Sequence, residues 1–262
     1  RFNEVAKEVV EYLESIGLSA SHILPISARH GDMIASRGDK LDWFNGKGLI
    51  DVLDSFELAL PPVSQNLRMP VQDVYRYDEK RIIVGRIETG TLQKGDTVYF
   101  SPTNEKAKVT SIEVWPEDSK KVKAMAGESV GFTIDEKIFV ERGHITSHEQ
   151  NLPMLSNVFQ ANIFWLGNDP MKIGDIFKIR YATCEAMVTV QSIDRVIDTQ
   201  DLKQDEACGE VKRNEVAEVT FRARDLLPID PFTDNHRTGR MVVYDEYDVV
   251  GGGSISMEGY PD

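Results

Sequence analysis

The residues that could do chemistry in this chain are few, and their spacings exclude most reactions. Gly85-Arg86-Ile87-Glu88-Thr89-Gly90-Thr91-Leu92 opens like a phosphate loop but lacks the Gly-Lys-Ser/Thr ending. Without that lysine and hydroxyl there is no charge partner for a phosphate and no magnesium ligand, so the run reads as a strand and a turn. Gly251-Gly252-Gly253-Ser254 fails the same test. Asp248-Val249-Val250-Gly251 fits the Asp-x-x-Gly of a nucleotide switch only formally, because so short a pattern recurs by chance. His144 and His148 are four apart, but Gly143 and an expected strand argue against a helical metal pair, and a surface turn is the expected setting. No catalytic residue and no metal ligand is expected. One short element has a meaning in context. Pro25-Ile26-Ser27-Ala28 stands where an apolar strand, residues 23–26, ends and a loop begins. Open α/β sheets place ligand loops at the carboxyl ends of strands, and a small residue there lets the backbone approach a flat base.

The elements that must position this loop have two textures. Phe2, Val5, Val9, Tyr12, Leu13 and Ile16 fall at helical spacing, and Gly17 is placed to end the helix. The strand at 23–26 follows, then a loop rich in Gly, Asp, Ser and Arg over residues 28–48. Leu49, Val52, Leu53 and Phe56 mark a second helix, and Leu60-Pro61-Pro62 closes the segment with a stiff linker. One strand between two helices cannot satisfy its backbone or bury its faces. Residues 1–60 are therefore expected to be the tail of a larger α/β domain.

Beyond residue 60 a turn is repeated. Leu92-Gln93-Lys94-Gly95-Asp96-Thr97-Val98-Tyr99 and Met171-Lys172-Ile173-Gly174-Asp175-Ile176-Phe177-Lys178 share apolar, two spacers, Gly-Asp, then alternation. Gly supplies a backbone angle that other residues resist, Asp hydrogen-bonds the turn backbone, and the alternation is a half-buried strand. Further strands are expected at 69–75, 82–87, 108–115, 129–134, 137–142, 157–165, 176–181, 186–196, 216–224 and 241–244, with Gly127 and Gly131 as bulges or corners. The acidic stretch 201–210 reads as a solvated loop. The fold expected is mainly β: an α/β remnant (1–60), then two tandem β-barrels (61–150 and 151–262).

Lys and Arg total 30 against 43 Asp and Glu, a net charge of −13. Such a chain repels phosphate backbones, so no nucleic-acid partner is expected. There is no bilayer-spanning run and no signal peptide, and Cys184 and Cys208 are the only cysteines. No membrane partner and a reducing cytoplasmic setting are expected.

Together these residues resemble the translation-factor GTPases typified by elongation factor Tu. The signature Gly85-x4-Gly90-x4-Gly95-Asp96 looks like that family's second domain. A closer resemblance is to the GTPase subunit of sulfate adenylyltransferase (ATP sulfurylase, subunit 1). It rests on Pro25-Ile26-Ser27-Ala28-x2-Gly31-Asp32, Trp43-Phe44-x-Gly46-x2-Leu49, Ile197-Asp198-Thr199-x2-Leu202, Asn214-Glu215, and Asp230-Pro231-Phe232-x2-Asn235-x2-Thr238-Gly239-x-Met241. It runs over residues 1–255, and the 230–241 string is its most specific piece. The resemblance implies that residues 1–60 are the C-terminal part of a P-loop GTPase domain, with Ser27 and Ala28 in the guanine-contacting loop. It implies that the phosphate loop, switch regions and base-reading motif lie upstream of Arg1. It implies GTP and magnesium in the full-length protein, none bound to this stretch alone, and no GTPase activity from it. It implies a separate catalytic subunit that transfers the adenylyl group of ATP to sulfate, driven by GTP hydrolysis. Some members carry a fused adenylyl-sulfate kinase downstream, and residues 257–262 are open to two readings, the start of a linker to one or only a terminus. His144 stands where that family usually has an acid, and His236 where it often has Arg. Two other readings stay open: an elongation factor carrying aminoacyl-tRNA, and a non-catalytic β-barrel interaction module.

Overall fold

A computed structural model describes residues 1–15, 18–57, 60–77, 80–114, 121–198, 204–205 and 209–257. The chain divides into two compact units, Arg1–Leu60 and Pro61–Asp262.

The first unit carries helix α1 (Phe2–Ser15) and the short helix α2 (Leu49–Asp54). Its buried apolar residues are Met33 and Val52. The Phe2 ring lies 5.4 Å from Trp43 and 5.7 Å from Phe44, so the loop before α2 is fastened to the start of α1 by aromatic contact. The strand expected at 23–26 does not form. The chain there has no ladder partner among the described residues of the unit, and only Ser27 bridges, to Asp32. A strand is defined by its neighbour, which no local pattern supplies. Ile16 and Gly17 lie outside the described residues.

The second unit begins with β1 (Met69–Tyr77), β2 (Lys80–Arg86), β3 (Thr91–Gln93), β4 (Thr97–Ser101), β5 (Glu105–Glu113), β6 (Lys123–Met125), β7 (Ser129–Ile134) and β8 (Ile145–His148). Six of these close a barrel in the order β1-β2-β7-β5-β4-β8, and β3 pairs with β6 as a separate ribbon. Its core includes Val71, Ile83, Val98, Phe100 and Phe132. Then follow β9 (Met154–Trp165), β10 (Met171–Lys172), β11 (Ile176–Tyr181), β12 (Cys184–Asp198), β13 (Gln204–Asp205), β14 (Glu210–Val211), β15 (Glu215–Ile229), β16 (Arg240–Asp245) and β17 (Asp248–Ile255). The order β11-β16-β17-β9-β15-β12 closes a second barrel through the β11–β12 hairpin, with β13 added beside β12. Phe159, Ile163, Ile179, Val219 and Phe221 are in its core. The molecule is thus mainly β, with two successive closed barrels. Every ladder pairs antiparallel, so closure leaves each barrel strand hydrogen-bonded on both sides.

The repeated turn is the same device twice. Gly95 and Gly174 adopt φ of +97° and +94°, in the left-handed region that favours glycine. Each donates its N–H across the barrel, Gly95 to Val109 O at 2.8 Å and Gly174 to Val190 O at 2.9 Å. Each following carboxylate accepts the N–H three residues back: Asp96 from Gln93 at 2.8 Å, Asp175 from Lys172 at 2.7 Å.

Other expectations need correction. Residues 137–142 form no strand. Val140 alone of them is an apolar core residue while Phe139 is exposed, and Arg81 Nη1 rather than a ladder donor reaches Ile138 O. Gly127 is a corner, but Gly131 sits regularly in β7, opposite Val84 and Glu113. The acidic stretch is not wholly loop: Gln204 and Asp205 pair with Ile197 and Val196, and Glu210 pairs with Lys172. Its residues 201–203 and 206–208 lie outside the described set. The glycine run 251–253 is neither phosphate loop nor turn. It is the middle of β17, between β9 and β16, and a Cβ on Gly253 would stand 1.9 Å from Asn162 O. A Gly253→Ala chain is expected to lose about 3 kcal/mol, the upper end of overpacking costs, whereas Gly252→Ala, whose nearest atom is 3.6 Å away, should be near neutral. Urea unfolding followed by circular dichroism measures both, and equal midpoints would refute the packing account.

Candidate functional site

In the first unit the turn containing Ser27 and Ala28 is tightly built. Ser27 N donates to Asp32 O at 3.0 Å, and Ser27 O accepts from His30 N and Gly31 N at 3.1 and 2.8 Å. The Ser27 hydroxyl lies 3.0 Å from His30 Nδ1. Beyond the turn, Met33 O and Ile34 O accept the N–H groups of Leu49 and Ile50 at 2.9 and 3.1 Å, which ties the loop to the start of α2. These bonds leave Ala28 exposed and Ser27 half-buried. The Asp32 carboxylate is buried, with Oδ2 unpartnered and Oδ1 against Gly38. The turn offers a rigid backbone with only a methyl group in front of it, a surface that a planar ring could approach.

A second constellation lies between the barrels and was missed as a site by sequence reasoning. Arg68, immediately before β1, is 4% exposed. Its Nε donates to both oxygens of Asp230 at 2.9 Å, and Nη2 donates to Oδ1 at 2.8 Å. Nη1 donates to Leu67 O and Asn151 O, and Nη2 also to Asn151 Oδ1. All five guanidinium N–H groups are thereby used. Thr238 Oγ1 donates to Asp230 Oδ2. Asn235 Nδ2 donates to Thr89 Oγ1 of the first barrel at 3.1 Å, and its Oδ1 accepts the backbone N–H of Arg237 and Thr238. A Cβ on Gly239 would meet Phe232 Cα at 2.5 Å. Through these bonds the 230–241 string fastens the second barrel to the first. The available signal was Arg68 itself, a charge inside the run Leu67-Arg68-Met69-Pro70-Val71, because a charge that shares an apolar stretch must be paired.

The histidines are apart. His144 does close a turn, with its N–H on Glu141 O at 3.3 Å, but its side chain is not at the surface: it is 5% exposed. His148 lies in β8, and its Nε2 is 3.1 Å from Asp96 Oδ2, on the first Gly-Asp turn. Among the described residues no group of three or more His, Cys, Asp or Glu could hold a metal ion. His236 stacks on Phe232 with ring centroids 4.5 Å apart, and Arg240 lies over the same ring. Burial pushes the Cys184 thiol up, which makes it a poor nucleophile at neutral pH. Burial likewise holds the Tyr181 phenol well above its ordinary range. Nothing among these groups is an activated nucleophile. No helix among the described residues is long and apolar enough to cross a membrane.

Replacing Arg68 by Ala strands a buried carboxylate and is expected to cost about 3–5 kcal/mol. Arg68→Lys should recover little, since an ammonium cannot reproduce the planar fork. Denaturant unfolding measures the loss. A lysine variant of full stability would contradict the bidentate account.

Comparison with known proteins agrees with this architecture. Residues 80–145 match the family described as Elongation factor Tu domain 2, and residues 158–256 match GTP-eEF1A C-terminal domain-like. Sulfate adenylyltransferase subunit 1 of Bacteroides fragilis (strain YCH46) is 28% identical over 246 residues, 94% of this chain and 51% of its own length. Elongation factor 1-alpha of Metallosphaera sedula (strain ATCC 51363 / DSM 5348 / JCM 9185 / NBRC 15509 / TH2) is 29% identical over 263 residues, 98% of this chain and 60% of its own length. This chain thus spans about half the length of the curated relatives it matches. The structure of Sup35 complexed with GDP superposes with a TM-score of 0.69 at 20% identity, over 97% of this chain and 64% of that one, a likeness of fold. The two barrels thus match, one each, the Elongation factor Tu domain 2 and GTP-eEF1A C-terminal domain-like families, and over nearly its whole length the chain is similar to subunit 1 of sulfate adenylyltransferase.

Proposed function

We propose that this chain is the nucleotide-loop end and the two barrels of a GTP-binding regulatory subunit of sulfate adenylyltransferase. The observation that carries the reading is similarity over 94% of the chain to a protein of that name. It is joined by the 230–241 string, the most family-specific run in the sequence. In this role the whole protein couples GTP hydrolysis to a reaction on a catalytic partner subunit, which joins the adenylyl group of ATP to sulfate and releases pyrophosphate. The coupling is linkage: nucleotide state biases a conformation, and the conformation biases the partner's reaction.

The residues present fit one part of a GTP site. The turn at Ser27 and Ala28 suits the guanine ring, because its backbone is held by its own hydrogen bonds and Ala28 is exposed. The phosphates and magnesium find no holders here: the sequence has no Gly-x4-Gly-Lys-Ser/Thr run. Bound GTP supplies the free energy of its phosphoanhydride. This chain's own part is to shape the base loop and carry barrels that meet the partner, since loops on rigid frames suit docking. The faces of α1 and α2 agree with a place in a larger α/β layer, because Val9, Tyr12, Ile50 and Leu53 are exposed.

A second reading, an elongation factor that carries aminoacyl-tRNA, draws on the Metallosphaera relative at 29% identity. The net charge of −13 weighs against it, because it repels tRNA phosphates.

Three outcomes are expected. Residues 1–262 alone should show no metal-dependent GTP hydrolysis above background, because positioning of phosphate and metal is most of that catalysis. A rate abolished by a point substitution within the chain would overturn this. In the full-length protein Ala28→Trp should weaken GTP binding by about tenfold or more through steric exclusion, leaving the barrels folded; unchanged affinity removes Ala28 from the base site. The full-length protein should co-purify with the adenylyl-transferring subunit and raise its GTP-dependent adenylyl sulfate output. Salt-sensitive binding of aminoacyl-tRNA without that subunit would favour the second reading.

A further inference from the structure

The barrels meet along a second seam that is built unlike the Arg68 clamp. On the first barrel it is the turn Glu141-Arg142-Gly143-His144. On the second it is the β11–β12 hairpin at Thr183 and Cys184, where a Cβ on Gly143 would lie 3.5 Å from Cys184 Cα. A recess of about 390 Å³ opens there, with His144, Cys184, Met187 and Leu227 in its lining. The clamp has every polar atom matched, whereas this seam does not. His144 Nδ1 and Thr183 Oγ1 are buried without hydrogen-bond partners. His144 Nε2 has only Glu141 near it, at 3.8 Å, and that carboxylate is 60% exposed.

A neutral imidazole tolerates this setting. An imidazolium needs two acceptors, and at the buried Nδ1 the protein offers none within hydrogen-bond distance. The charged groups that surround it are mixed in sign. Glu141, Glu105 and Arg142 come from the first barrel, while Glu185 of β12 and Arg224 and Asp225 of β15 line the same recess. None is a buried counter-charge. We propose that His144 is a proton-operated latch between the two barrels, closed when its ring is neutral and released on this side when it is protonated.

The direction of the pH dependence follows. Burial holds the His144 imidazole below its ordinary range, against a weaker upward pull from Glu141 and Glu105. The opened form therefore binds the proton more tightly than the closed one. Closure is fully favoured above the ordinary imidazole range, about pH 6.5, and is lost progressively as pH falls below it. The Arg68–Asp230 clamp contains no imidazole, so the barrels remain joined there while the seam parts.

Cys184 reports the event, being half-buried in this recess. With Cys208→Ser it becomes the only thiol of the chain. The measurement is its rate of reaction with dithiodipyridine, divided by the rate of the urea-denatured chain at the same pH, which removes the intrinsic thiol titration. Between about pH 7.5 and about pH 5 that ratio is expected to rise by about threefold or more, and to stay flat in His144→Gln. A flat ratio in the unsubstituted background, or an equal rise in His144→Gln, overturns the latch. Should His144→Gln fail to fold, nuclear magnetic resonance titration of the His144 ring in the Cys208→Ser chain decides. Its midpoint must coincide with the midpoint of labelling, and a mismatch overturns the proposal.

Discussion

The two-barrel body depends on one ion pair. Arg68 and Asp230 are 162 residues apart in sequence, and each belongs to a different barrel. Burying two charges is expensive, and their attraction repays it only when the geometry is close and the remaining donors are matched. Here that condition is met, because Leu67, Asn151 and Thr238 take up what the pair itself leaves over. The result is less a source of stability than of registry. A small slide of one barrel over the other would strand a guanidinium and a carboxylate together. Apolar contact between closed barrels has no such preference, since each barrel has a core of its own.

That constraint explains which parts of the molecule were legible in the sequence. The Gly-Asp turns were, because their chemistry is local: one φ that glycine allows and one carboxylate bonding three residues back. Most strands were, because alternation reports the inside of a barrel. The failures are all non-local. The expected strand at 23–26 has apolar composition but no neighbour. Residues 137–142 have a short apolar run, Ile138-Phe139-Val140, without a ladder. The glycines of β17, rightly rejected as a phosphate loop, were not read as a strand, because they let β17 lie close against β9, with Asn162 O too near for a Cβ at Gly253. Arg68 signals from its own neighbourhood only that it must be paired, and its partner Asp230 is contributed by the other barrel.

The candidate base loop was legible in a different sense. Ser27 and Ala28 stand out in the sequence by their place after an apolar run and by the family they resemble. The geometry supplies a reason that neither argument contains: the turn closes on itself through Ser27 N, Ser27 O and the Ser27 hydroxyl, so it needs no flanking strand to hold its shape. A backbone held by its own hydrogen bonds loses less entropy on binding.

The two seams together suggest how a two-barrel body can be stiff and responsive at once. Coupling between sites requires an element with two discrete arrangements, each favoured by something. A body clamped throughout has only one arrangement, and a body held by apolar contact alone has many. At one end of the interface every polar atom is matched; at the other a buried imidazole and a hydroxyl are not. On the latch proposal, opening at His144 leaves the matched clamp at Arg68 in place, which is a rotation about the clamp rather than a separation of the barrels.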